Sequence, residues 1–88
     1  MTAYDKFINA IERDQKGEIH LSHAFFSFGR YRIQILGRYW FWVDDESSNE
    51  WEYGADSWEE MLALDVEQIG MTLCEALRHI NAEDLEFE

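Results

Sequence analysis

Eight carboxylates fall within seventeen residues: Asp44, Asp45, Glu46, Glu50, Glu52, Asp56, Glu59 and Glu60. Carboxylates can do three kinds of chemistry: proton transfer, cation binding and electrostatic capture of a basic partner. Proton transfer needs one of them desolvated so that its pKa rises, and no residue pattern singles one out. A calcium loop needs oxygen ligands at positions 1, 3 and 5 with Gly at 6. Counted from Asp45, that pattern gives Ser47 and Asn49 but puts Glu50 where the glycine belongs. Electrostatic capture fits better. Alternate residues on a strand, such as Glu50 and Glu52, lie roughly 6.7 Å apart, and helical i, i+4 neighbours about 5–6 Å apart. Acids held at such spacings can imitate nucleic-acid phosphates and attract a groove lined with Lys and Arg. The plainer reading is solvation: acids at helix starts such as Glu59 and Glu60 also favour the helix dipole.

The other reactive side chains form no site by spacing. His20 and His23 have no third ligand or cysteine partner for zinc. Ser22 and His23 are adjacent, which is not triad geometry. Cys74 lies beside an apolar stripe, as a small buried residue does, and His79, five positions on, points elsewhere. No Gly-rich phosphate loop is present. The expectation is a protein that is not an enzyme, with no cofactor and no metal.

Charge is distributed unevenly. The 88 residues carry 19 acids and 7 bases, a net of −12. Residues 1–42 hold four acids and six bases, whereas residues 43–88 hold fifteen acids and one base, Arg78. This imbalance argues against direct binding to nucleic acid and against an anionic membrane. Hydrophobic content of 47%, 16% of the chain being aromatic, argues for folding over disorder. One domain over residues 1–88 is expected. No apolar run is long enough to span a membrane, no signal peptide is visible, and a single cysteine cannot form an internal disulfide, so a cytoplasmic setting is the expectation.

The stretch Tyr31–Asp44 reads as a hairpin with a two-residue type II′ turn at Gly37-Arg38. In that register Tyr31, Ile33, Ile35, Trp40 and Trp42 form the core face. Arg32, Gln34, Leu36, Tyr39, Phe41 and Val43 form the outer one, so Arg32, Tyr39 and Phe41 are candidate partner contacts of hot-spot composition. Before the hairpin, Thr2 and Asp5 make a capping box, and Tyr4, Phe7, Ile8 and Ile11 mark one face of a helix over 3–16 that Gly17 ends. In residues 18–28, Leu21, Ala24, Phe25 and Phe28 fit a helical face with Ser22 as its cap, but the alternation of Ile19 with Leu21 and of Phe26 with Phe28 favours a strand near 18–21 and another from about 25, with Gly29 at a bulge or turn. After the hairpin, a polar loop leads to a strand at 50–53 with Trp51 and Tyr53 inward. Ser57 and Glu60 begin a short helix through about Leu64. A second helix starts near Asp65, its stripe formed by Val66, Ile69, Leu73, Leu77 and Ile80, and Asn81 in a left-handed conformation stops it. Residues 82–88 read as a frayed acidic tail. The class is α+β: an N-terminal helix, a three- to four-stranded antiparallel sheet and two C-terminal helices.

In size, acidity and helix–sheet–helix order the chain resembles the small acidic inhibitors encoded by phages and mobile elements, among them anti-CRISPR proteins and other DNA mimics. The resemblance implies a non-catalytic inhibitor that occupies a basic nucleic-acid-binding groove of a host enzyme, a CRISPR effector or another nuclease, in the bacterial cytoplasm. The rival expectation is a general protein-binding module, such as an immunity protein, antitoxin or adaptor, that uses the aromatic sheet face, on which a homodimer could also form.

Overall fold

The computed structural model describes all 88 residues. Helix α1 (Ala3–Gln15) begins as its sequence directs: the Thr2 side chain accepts from the Asp5 backbone N–H, and the Asp5 carboxylate accepts from that of Thr2. Four antiparallel strands follow: β1 (Ala24–Phe28), β2 (Tyr31–Ile35), β3 (Trp40–Asp44) and β4 (Glu50–Gly54). Then come a short helix α2 (Trp58–Leu62), a small ribbon of β5 (Asp65–Val66) with β6 (Met71–Thr72), helix α3 (Leu73–Arg78), a 3-10 turn over Ala82–Asp84 and β7 (Glu86–Phe87). The main sheet has five strands in the order β4-β3-β2-β1-β7. The fold is α+β, with one more main-sheet strand than the sequence suggested and two C-terminal helices of only five and six residues.

Phe7 and Ile11 of α1, Trp58 and Met61 of α2, and Leu73 and Leu77 of α3 join Phe26, Ile33, Ile35, Phe41 and Val43 of the sheet in one buried cluster. All the helices therefore lie against one sheet face. The hairpin is where the expected packing fails. Ile35 pairs with Phe41 and Ile33 with Val43, and Leu36 donates to the Trp40 carbonyl across a three-residue loop, Gly37-Arg38-Tyr39. One extra loop residue shifts β3 by one position, and because side chains alternate, the whole strand turns over. Phe41 and Val43 are fully buried, while Trp40 and Trp42 stand half-buried on the opposite face. The loop is held by Gly37 at φ 141°, where an added Cβ would come within 3.0 Å of the Trp40 indole nitrogen, and by Tyr39 at φ 82°. A left-handed tyrosine is strained by about 1–3 kcal/mol. Its ring is well placed to offset this, edge-on to Trp58 at 5.1 Å.

Four other expectations are corrected. Residues 18–21 form no strand; the segment from Glu18 to Ser22 joins no sheet, and the Glu18 N–H turns back to the Arg13 carbonyl. The second C-terminal helix does not run from Asp65. Gly70 adopts φ 70°, and its N–H and that of Ile69 both turn back to the Val66 carbonyl. The helix then restarts at Thr72, whose side chain and that of Glu75 form a second capping box. The tail is folded, not frayed: Leu85 is fully buried and β7 pairs with β1 through Ala24–Phe87 and Phe25–Glu86. Asn81 is extended, not left-handed, and bridges to Thr2.

The hairpin tip is tied to the end of α1. Asp14, almost fully buried, accepts from the Arg38 guanidinium at 3.0 Å and from the Leu21 N–H at 3.1 Å. The Arg38 hydrogen bond, then the Leu21 N–H, hold its carboxyl below the usual range. A depressed folded pKa adds stability above the unfolded value, about 3.9, and that stability is lost as pH falls through the folded value. Arg38 is half exposed, so the ion pair itself adds little, and the orphaned Leu21 N–H is the main cost of removing Asp14. Asp14→Ala is expected to lose about 1–3 kcal/mol at pH 7, with the gap to wild type narrowing below about pH 4 as the charge-dependent part is lost. Urea melts at pH 7 and pH 3 read both.

Candidate interaction surface

The sheet face away from the helices is built by the outward residues of four strands. Across it run two cross-strand rows. In one, Phe25 faces Gln34, Gln34 faces Trp42 and Trp42 faces Glu52. In the other, Ser27 faces Arg32, Arg32 faces Asp44 and Asp44 faces Glu50. Trp40 stands next to Trp42, ring centroids 6.0 Å apart and edge to face. The Arg32 guanidinium sits over the Phe25 ring at 5.0 Å. A hollow of 160 Å³ lies among Trp42, Glu50, Trp51 and Glu52. Two polar atoms of this face, Trp42 Nε1 and Asp44 Oδ1, are shielded yet have no hydrogen-bond partner within the chain.

The eight acids do not form one array. Asp44, Glu50 and Glu52 share the outer face at its β3–β4 side. Asp45 turns inward, its side chain 4% exposed. It accepts from the backbone N–H groups of Ser47 and Asn49 and from the Asn49 side chain, and it lies 3.6 Å from Arg30. The Asn49 side chain, followed by those backbone donors and the Arg30 charge, holds its carboxyl below the usual range. Asp45 builds its own loop and has no free face to offer, which corrects its place among the contact residues. Glu46 is exposed in that turn. Asp56, Glu59 and Glu60 are exposed around the start of α2, where Ser57 accepts from the Glu60 N–H. Because α2 belongs to the helix layer, the acids wrap around the β4 edge. Glu50 and Glu52 make no salt bridge.

The aromatic contact residues are also reassigned. Phe41 is fully buried, stacked on Tyr53 at 5.0 Å, and Tyr39 packs on Trp58, so neither belongs to the outer face. Arg32 does. Gln34 stands on the outer face as expected, whereas Phe25, Trp40 and Trp42 are the residues that sequence reasoning missed. The alternation Phe26-in, Phe25-out in β1 carried a signal for one of them, but β3 carried none, being apolar on both sides.

A groove of 380 Å³ lies between α1, the segment after it and the C-terminal strand, lined by Lys6, Arg13, His20, His23 and Glu88 among others. Two of these groups, Lys6 and His23, are engaged within the chain. Lys6 Nζ donates to the Ala82 and Leu85 carbonyls, and His23 Nδ1 lies 2.6 Å from Glu88. No group of three or more His, Cys, Asp or Glu is placed to hold a metal ion, and no helix is long and apolar enough to cross a membrane. Comparison with protein-family models, curated proteins and solved structures finds no match to this chain.

Proposed function

We propose that this protein is a non-catalytic inhibitor that docks through its helix-free sheet face onto a basic, nucleic-acid-binding groove of another protein. The carrying observation is the juxtaposition on that face of Trp40 and Trp42 with Asp44, Glu50 and Glu52. The tryptophans provide short-range affinity by desolvation. The acids provide steering and select against acidic partners. The pKa displacements have structural causes. Those of Asp14, Asp45 and Glu75 each trace first to a hydrogen bond that builds a cap, a loop or an ion pair, not to a reactive cleft.

A general protein-binding module, such as an immunity protein, antitoxin or adaptor, is the second reading. It is favoured by Arg32 stacked on Phe25 and by Gln34 in the middle of the face, neither of which imitates a phosphate. The two readings part in one experiment. The immobilised protein captures partners from host lysate, and each captured partner is assayed for nucleic-acid binding with and without the protein. Under the inhibitor reading a captured partner loses its nucleic acid to competition, the complex weakens with salt, and the double variant Glu50→Lys, Glu52→Lys weakens it by about tenfold or more. Competition absent but capture lost in Trp42→Ser assigns the module. Capture indifferent to both variants removes the outer face from either reading.

A further inference from the structure

The β4 edge of the sheet is open. Two backbone bonds fix the phase of its ladder with β3: Ala55 N–H to the Tyr39 carbonyl at one end and Asp45 N–H to the Asn49 carbonyl at the other. Both pairs continue the register that runs from Trp40–Gly54 to Asp44–Glu50. Hydrogen-bonded pairs alternate along an antiparallel ladder, so Phe41–Tyr53 and Val43–Trp51 are the bonded ones. Glu50, Glu52 and Gly54 then turn their N–H and C=O groups away from β3, toward solvent. All three residues are exposed, and no turn, loop or cap takes their backbone groups.

A guest strand pairing there would set alternate residues opposite Glu50 and Glu52, on the outer face. Its intervening residues would turn toward the helix-layer side, beside the half-buried Trp51 and Tyr53. Carboxylates directly opposite favour Lys or Arg. The hollow among Trp42, Glu50, Trp51 and Glu52 suits the aliphatic stem of such a side chain, with its charge near the carboxylates. A second copy of β4 would place Glu against Glu. The same acids thus discourage self-pairing and admit a basic strand.

We propose that β4 accepts an extended segment of the partner, alternating Lys or Arg with apolar residues, as a sixth strand of the sheet. This rests on the reading above that the outer face by β3 and β4 is the contact surface, and it names what the partner inserts beside it. Main-chain hydrogen bonds give such strand addition its affinity and alternate side chains its specificity.

The test is an NMR titration of the isotope-labelled protein with the peptide acetyl-Lys-Val-Lys-Val-Lys-Val-Lys-amide. Two further peptides carry N-methyl groups, one at the Lys amides and one at the Val amides. Lysines opposite Glu50 and Glu52 use their own backbone to bond β4, so methylating the Lys amides is expected to weaken binding about tenfold or more, and methylating the Val amides to change it little. Glu50, Glu52 and Gly54 amides should become protected from exchange in the complex. Glu52→Pro removes one edge-facing donor and leaves the β3–β4 ladder whole, and it should show the same loss. The methylated peptides keep the test decisive should that variant unfold. No binding of the parent peptide, equal binding of the Lys-methylated one, or unprotected edge amides overturns the strand-addition proposal. If the peptide then still shifts the Trp40 and Trp42 indole signals, or lysate partners remain sensitive to Trp42→Ser, the outer-face reading survives without it.

Discussion

Phe41→Ala should lose about 3–5 kcal/mol of stability, while Trp42→Ala should lose only about 1 kcal/mol. Size alone would rank them the other way. Phe41 is 0% exposed, faces Ile35 across the β2–β3 ladder and stacks on Tyr53 with 10° between ring planes. Removing its ring leaves a cavity between sheet and helices that a rigid neighbour such as Tyr53 cannot fill. Trp42 stands on the outer face, where solvent can occupy the vacated space. Urea melts of both variants measure the difference. A larger loss for Trp42→Ala than for Phe41→Ala would mean that the hairpin pairs in the other register.

Leu85→Ala should lose about 2–5 kcal/mol. Leu85 is the one fully buried residue in a tail otherwise rich in acids. Its side chain anchors the 3-10 turn to the core, and its carbonyl accepts from Lys6 Nζ at 2.6 Å. Downstream, β7 closes the open edge of β1, and the Glu88 N–H reaches the His23 carbonyl. Truncating Leu85 releases all three attachments together. Hydrogen exchange at Phe87 and Glu88 should accelerate with the loss of stability. A variant as stable as wild type, within about 0.5 kcal/mol, would show that the tail adds nothing to the fold.

The parts of this fold legible in the sequence are those fixed by local chemistry. The Thr2–Asp5 box starts α1 where the pattern puts it, Ser57 caps α2, and Glu50 and Glu52 alternate outward against Trp51 and Tyr53. The errors share a cause: a pattern that satisfied two structures equally. Residues 39–43 are apolar on both alternations, so nothing in them weighs a two-residue turn against a three-residue loop, and the outer face was populated with the wrong aromatics. The stripe from Val66 to Ile80 fits one helix, and three of its residues, Val66, Leu73 and Leu77, are indeed fully buried. What breaks it is Gly70 together with the Thr72–Glu75 box, a start signal of the same kind as the two read correctly. The two-residue strand β7 leaves almost no signature beyond Leu85 and Phe87 alternating with acids. In the candidate surface, the acidity and the part played by Arg32 were readable. The capture of Asp45 by its own loop was not, because Asp-Glu-Ser-Ser-Asn reads as a solvated run until its backbone N–H groups converge on one carboxylate.

The claim on which the surface, the proposed function and the strand-addition site all depend is that Trp40 and Trp42 stand on the helix-free face. The β2–β3 register decides it, and nuclear Overhauser contacts between α-protons read that register directly. The Leu36 to Trp40 hydrogen bond marks one bonded pair, so Ile35–Phe41 and Ile33–Val43 are non-bonded pairs whose α-protons approach closely. Strong α-proton contacts are expected for Ile35–Phe41 and Ile33–Val43. Contacts in their place for the pairs of the two-residue turn, Ile35 with Trp40 or Ile33 with Trp42, would put the tryptophans in the core and contradict the account.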